Sequence, residues 1–84
     1  MGKYEKTILK ILSGQSDANI PFDDLCILLR GLGFVMRIRG SHHVFRKDGI
    51  EEKINLQQEG SKAKPYQVRQ VRNVILKYQL GGER

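Results

Sequence analysis

The chain has little of several residue types on which specialised classes of protein depend. Its 84 residues include no tryptophan, two prolines and one cysteine. A single cysteine excludes an internal disulfide and a zinc site with several cysteine ligands. That residue, Cys26, lies among apolar residues at helical spacing. The pattern favours a small buried side chain over a reactive thiol.

Long apolar runs are also missing. No segment approaches the ~18 residues that a membrane-spanning helix requires. Residues 1–6 lack the apolar core of a signal peptide. We therefore expect a cytoplasmic protein with no membrane partner. The length indicates a single domain over residues 1–84.

Acidic residues are few relative to basic ones. Nine Asp and Glu stand against fifteen Lys and Arg, so the net charge is +6, and the isoelectric point is about 9.8. This balance favours a polyanionic partner, which could be a nucleic acid, an anionic membrane surface or an acidic protein.

Hydrophobic periodicity predicts two helices, a three-stranded meander and a closing helix. The first helix covers residues 3–12, and a polar loop follows as far as residue 19. Pro21 suits the first position of the second helix, and Pro65 that of the last. The expected strands cover residues 34–38, 41–47 and 51–57. The predicted fold class is therefore α+β, with a three-stranded antiparallel β-meander covered on one face by helices.

Two-residue turns at residues 39–40 and 48–49 would set the register of this sheet, since Asp-Gly is a strong hairpin signal. In that register Met36 lies opposite His43 on the apolar face. On the other face, His42 lies in the middle of the sheet.

The polar face then carries the side chains that could take part in a chemical reaction. His42 is expected between Arg37 and Asn55, which could orient the imidazole. Arg46 is expected to form a cross-strand ion pair with Glu51.

The adjacent histidines, His42 and His43, must point to opposite faces of a strand. We expect His43 to be half-buried and hydrogen-bonded near the helices, and His42 to face solvent among arginines. RNA carries its own nucleophile, the 2′-hydroxyl, and an imidazole can take or give the proton that cleavage requires. A modest ribonuclease centred on His42 is one interpretation; a plain exposed strand residue is the other.

Arginine side chains on the same face could hold phosphate. A second basic cluster lies at the start of the last helix, where the helix terminus could also seat a phosphate; a solvated helix face is the alternative. The candidate RNA- and phosphate-binding residues are Arg37, Arg39, Ser41, Arg46, Lys62, Lys64, Arg69 and Arg72. No metal site is expected, because adjacent strand histidines point apart.

Three short motifs in order resemble the HicA family of toxins. The first is Leu32-Gly33-Phe34 before a basic strand, and the second is Gly40-Ser41-His42 followed by the aromatic residue Phe45 in the same strand. The third is the last strand together with the basic closing helix. The similarity covers residues 20–80, and residues 1–19 would be an N-terminal extension.

The resemblance implies a fold like that of double-stranded-RNA-binding domains. It also implies an endoribonuclease that cleaves mRNA, a single-stranded substrate, without a metal or other cofactor. His42 would be the catalytic histidine, and a HicB-type antitoxin protein would neutralise the toxin by covering it.

Two other functions fit the same residues. One is an RNA-binding module without catalytic activity, whose binding would be sensitive to salt and would survive loss of His42. The other is a protein-interaction domain whose basic face meets an acidic partner.

Overall fold

Three helices and three strands follow one another in the order that the hydrophobic pattern predicts. The computed structural model describes residues 2–58 and 60–80. The elements are helices α1 (Lys3–Ser13), α2 (Phe22–Gly31) and α3 (Pro65–Tyr78), and strands β1 (Val35–Arg39), β2 (His42–Arg46) and β3 (Ile54–Gln57). A 3₁₀ turn, Asp17–Asn19, lies within the predicted polar loop. The α+β class is confirmed.

Each helix buries one apolar stripe. Ile8 and Ile11 of α1 and Val71 of α3 are buried, as their spacing predicts. Pro65 begins α3, where its missing N–H costs no hydrogen bond. Pro21 differs slightly from the prediction: it is the N-cap of α2, and the helix itself begins one residue later.

The sheet has the strand order β1-β2-β3, with both pairs antiparallel. Its inner face is covered by the helices, and Phe45, Ile54 and Leu56 are fully buried there. These side chains belong to the same core cluster as the buried residues of all three helices. The coverage of one face by helices is thus confirmed, and the opposite face, here called the outer face, is left exposed.

The predicted register between β1 and β2 is wrong by two residues. Arg39 pairs with His42 and Met36 with Phe45, so the two-residue turn consists of Gly40 and Ser41. Gly40 has φ 61°, and turns with positive φ at the first central position favour glycine there. The predicted turn would have put Arg39 in that unfavourable conformation.

The register between β2 and β3 is also wrong by two residues. Val44, rather than His42, lies opposite Asn55. The chain does turn at Asp48-Gly49, but only Gly49 has a positive φ, whereas a tight hairpin turn of the predicted type needs two such residues. Ile50 then enters the core instead of pairing, and β3 begins only at Ile54. Glu51 therefore precedes β3, and the predicted cross-strand pair with Arg46 does not form.

Candidate nucleic-acid interface

The outer face of the sheet is basic and exposed. Because both register errors are even, the residues that lie in strands both in the prediction and in the structure keep their predicted faces. Arg37 and Arg39 of β1 and Arg46 of β2 are exposed on this face. Three guanidinium groups therefore project from one side of a small sheet.

His42 lies at the turn end of this face rather than in its middle. It is the first residue of β2 and pairs with Arg39 on one side and Gln57 on the other. The predicted position between Arg37 and Asn55 is corrected accordingly. Asn55 is instead a diagonal neighbour, a separation that side chains across an antiparallel pair can span.

The side chains of His42 and Asn55 are in hydrogen-bond contact. Nδ1 of His42 lies 3.2 Å from Oδ1 of Asn55, and both residues are exposed. Because an amide oxygen only accepts hydrogen bonds, Nδ1 is the donor in this arrangement. In the tautomer that carries its proton on Nδ1, Nε2 keeps a lone pair. The contact proposed from the sequence is present in the structure.

His43 faces the helices, but it does not make the expected hydrogen bond. Its ring packs edge-on against Phe22, with centroids 5.0 Å apart and planes at 79°. Nδ1 of His43 is buried and has no hydrogen-bond partner among the described residues. His43 therefore packs as a half-buried aromatic side chain between the sheet and Phe22.

A shallow depression on the outer face brings His42 and Asn55 together with the arginines. It is lined by Arg37, Arg39, His42, Val44, Arg46, Lys53 and Asn55. Among the residues that the structure describes, this lining includes four cationic side chains and no acidic one. Strand alternation predicts Lys53 on the same face as Asn55, but Lys53 was not among the predicted site residues.

Ser41 is the second residue of the tight turn and is exposed. Its carbonyl oxygen accepts a hydrogen bond from the backbone N–H of Gln58 at 3.1 Å. This hydrogen bond ties the backbone of the turn to the residue that follows β3.

The second basic cluster lies on the helix layer and does not join this depression. The side chain of Lys62 is exposed, and its backbone forms an isolated antiparallel β-bridge with Pro21. The ammonium group of Lys64 lies 5.9 Å from the centre of the Tyr66 ring. Arg69 is exposed on α3. The predicted site residues therefore form two separate groups.

Arg72 has a structural partner that the sequence did not reveal. Its guanidinium group donates to both carboxylate oxygens of Asp17, at 2.9 and 3.2 Å, and to the carbonyl oxygen of Ile11 at 3.1 Å. The hydrogen bond from Arg72 lowers the pKa of Asp17. These contacts tie α3 to the end of α1 and to the 3₁₀ turn, so we leave Arg72 out of the proposed RNA surface.

The lone cysteine contributes no reactive group. Burial, with the nearby Asp23 carboxylate adding to it, raises the pKa of Cys26 to about 11. The thiol is therefore protonated at neutral pH, and thiolates are the nucleophilic form.

No three His, Cys, Asp or Glu side chains of residues 2–58 and 60–80 cluster closely enough to hold a metal ion. None of the helices in that part of the chain is long and apolar enough to cross a membrane. Comparisons with known protein families, curated proteins and solved structures find no match to this chain.

Proposed function

We propose that this protein is a small endoribonuclease that cleaves single-stranded RNA, with mRNA as its substrate. His42 is the catalytic residue. The observation that carries the proposal is the contact between His42 and Asn55 within a depression that contains four cationic side chains. An imidazole with a set orientation beside phosphate-binding groups is the minimum that RNA cleavage needs.

The hydrogen bond to Asn55 leaves Nε2 of His42 free to act as a general base. Nε2 takes the proton of the 2′-hydroxyl, and O2′ attacks the adjacent phosphorus. The bond between phosphorus and O5′ breaks, and the leaving oxygen takes a proton from water, since His43 lies on the opposite face. The products are a 2′,3′-cyclic phosphate and a free 5′-hydroxyl. No metal ion takes part in this scheme.

The arginines supply the positive charge. Arg37, Arg39 and Arg46 can each bind phosphate oxygens with two N–H groups, and they stabilise the extra negative charge on the phosphorane. Lys53 adds a fourth cation to the depression. Lys62, Lys64 and Arg69 extend the contact to flanking nucleotides on the helix layer.

The protein would be a toxin of the HicA type, with a fold like that of double-stranded-RNA-binding domains. Support comes from the Gly40-Ser41-His42 motif, which forms the turn at the end of the depression, and from the order of elements. A HicB-type antitoxin that covers the basic outer face would neutralise it.

The direct test is an RNA cleavage assay in excess EDTA. We expect the wild type to cut RNA and to leave 2′,3′-cyclic phosphate ends. His42→Ala should lose about 10²–10⁴-fold in rate, the usual contribution of general acid–base catalysis. The matched control is His43→Phe, which removes the neighbouring imidazole from the inner face and should retain cleavage.

Three outcomes would contradict the proposal. If wild type and His42→Ala bind RNA equally and neither cuts it, the protein is a binding module. If both cut it at the same rate, the catalytic group lies elsewhere. Loss of cleavage only in EDTA would point to metal-dependent chemistry.

A further inference from the structure

Strand β1 is an edge of the sheet, with one side open. In the described part of the chain it pairs with β2 and with no other strand. Arg39 and His42 flank the two-residue turn, so these residues exchange hydrogen bonds, as do Arg37 and Val44. The backbone groups of the alternate residues, Met36 and Ile38, therefore point away from β2.

Two apolar side chains on this edge strand are largely exposed to solvent. Val35 is 64% exposed and Ile38 is 58% exposed. Edge strands are commonly protected by charged side chains, especially lysine, by proline or by an inward-pointing charge. β1 has no proline, lysine or inward-pointing charge, and its two charged residues, Arg37 and Arg39, project on the outer face. The side chain of Ile38 lies on the face of the sheet that the helices cover, but the helices leave it mostly exposed. The five-residue edge therefore carries positive charge on one face and has no proline or inward-pointing charge that would block pairing with an acidic segment.

We propose that the open edge of β1 binds an extended segment of a partner protein, in which acidic and apolar residues alternate, as a fourth strand of the sheet. Backbone groups of Met36 and Ile38 would hydrogen-bond to the added strand, as in other cases of strand addition. Its apolar side chains would cover Ile38 on one face. Its acidic side chains would lie opposite Arg37 and Arg39 on the other, where opposite charges stabilise cross-strand pairs.

Charge decides against a second copy of this chain as the occupant. Two β1 strands could pair only if both offered Met36 and Ile38 to each other. The antiparallel register in which Met36 of each copy pairs with Ile38 of the other satisfies this requirement, and it places Arg37 opposite Arg37. Like charges directly opposite each other are destabilising, whereas an acidic segment meets the same arginines favourably.

The test is independent of RNA cleavage. The probe is a synthetic nine-residue peptide in which Glu alternates with Val and Ile, added to the isotope-labelled full chain. Amide hydrogen exchange should slow at least about tenfold at Met36 and Ile38 on binding. The amides of Arg37 and Arg39 already bond to β2 and provide an internal control, since their exchange should change little.

Variants separate the backbone and charge contributions. Ile38→Pro removes an edge N–H without touching the bonds to β2, and proline is tolerated at such positions. It should weaken peptide binding at least about tenfold, whereas Ile38→Thr, which keeps the N–H, should weaken it less. A peptide with Lys in place of Glu should bind more weakly to the wild type. If Ile38→Pro fails to fold, a peptide methylated on its edge-facing amides tests the same hydrogen bonds.

Three results would overturn the inference. The first is no protection of Met36 and Ile38 at millimolar peptide. The second is equal binding by the methylated peptide, or by a folded Ile38→Pro variant. The third is a dimer in sedimentation with the same two amides protected, which would show that a second copy occupies the edge.

Discussion

At the scale of single residues, the two adjacent histidines have different environments. His42 is exposed and contacts Asn55 at 3.2 Å, whereas His43 packs against Phe22. Strand alternation predicts this division, and it holds although the register was wrong by two residues. The unpaired Nδ1 of His43 was not predictable, because it depends on which groups the helices place nearby.

The role of Asn55 can be separated from RNA binding. Asn55→Ala removes a neutral hydrogen bond, worth about 0.5–1.5 kcal/mol, so we expect kcat for cleavage to fall by up to about tenfold. RNA affinity should change little, since no charge is lost. The control Lys53→Gln should weaken RNA binding more than it lowers kcat. An Asn55→Ala variant with unchanged kcat would contradict the positioning role.

Substitutions of His43 should affect stability in opposite ways. His43→Ala removes the ring that packs on Phe22 and should cost about 1–3 kcal/mol in the free energy of unfolding. His43→Phe keeps an aromatic ring and removes the unpaired buried nitrogen, so it should be at least as stable as the wild type. Thermal melts followed by circular dichroism provide the measurement. A less stable His43→Phe would show that the imidazole has a polar role.

At the scale of elements, sequence patterns predicted the helices and strands well and the hairpins less well. Apolar spacing located α1 and α3 to within one or two residues. The first turn lies one residue later than predicted, because its first central position has a positive φ and is occupied by Gly40. The second register was wrong because the Asp-Gly pair at residues 48–49 was taken as a tight hairpin turn. The side chain of Ile50 instead enters the core, and this demand from tertiary packing outweighs the local turn signal.

The first hairpin depends on the conformation of Gly40. A Cβ atom at this position would meet nothing within 4 Å, so a substitution there tests backbone conformation alone. Gly40→Ala should lower the free energy of unfolding by about 1–2 kcal/mol because φ is 61°. Gly40→Asn should cost less, since asparagine tolerates this conformation better. Chemical denaturation measures both, and equal loss in the two variants would contradict the assigned turn geometry.

Long-range ion pairs are the part of the candidate site that the sequence could not predict. The sequence predicts one basic cluster of Lys62, Lys64, Arg69 and Arg72. In the structure, Arg72 pairs with Asp17, which is far away in the chain. No spacing rule connects these two positions. Pairing of this kind determines which cations remain available for a ligand.

At the scale of the whole molecule, charges are divided between the two layers. Among residues 2–58 and 60–80, no acidic side chain forms an ion pair with the arginines on the outer face of the sheet, whereas some charges of the helix layer stabilise the fold. Glu52, just before β3, accepts hydrogen bonds from Lys77 at 2.8 Å and from the Tyr78 hydroxyl at 2.6 Å. This group joins the long β2–β3 connection to the end of α3.

The Glu52 contacts predict a specific dependence of stability on pH. Hydrogen bonds from Lys77 and then Tyr78 lower the pKa of Glu52 from 4.5 to about 2. A carboxyl group whose pKa is lowered in the folded state stabilises the fold at pH values above its unfolded pKa of 4.5. This contribution is lost as the pH falls towards 2. Glu52→Gln should therefore melt below the wild type at pH 7, and the gap should close between pH 4.5 and 2.

The control for this experiment is Glu51→Gln, which removes the same charge from the neighbouring exposed position and should change the melting temperature little. A Glu52→Gln gap that stays constant down to pH 2 would contradict the ion-pair account.

The central claim is that His42 activates the 2′-hydroxyl of bound RNA. The most direct measurement compares one RNA sequence with its 2′-O-methyl counterpart, using the wild-type protein and following binding and cleavage together. The account predicts that both strands bind and that only the strand with free 2′-hydroxyls is cut, to 2′,3′-cyclic phosphate ends. Cleavage of the methylated strand, or binding of both strands without any cleavage, would contradict it.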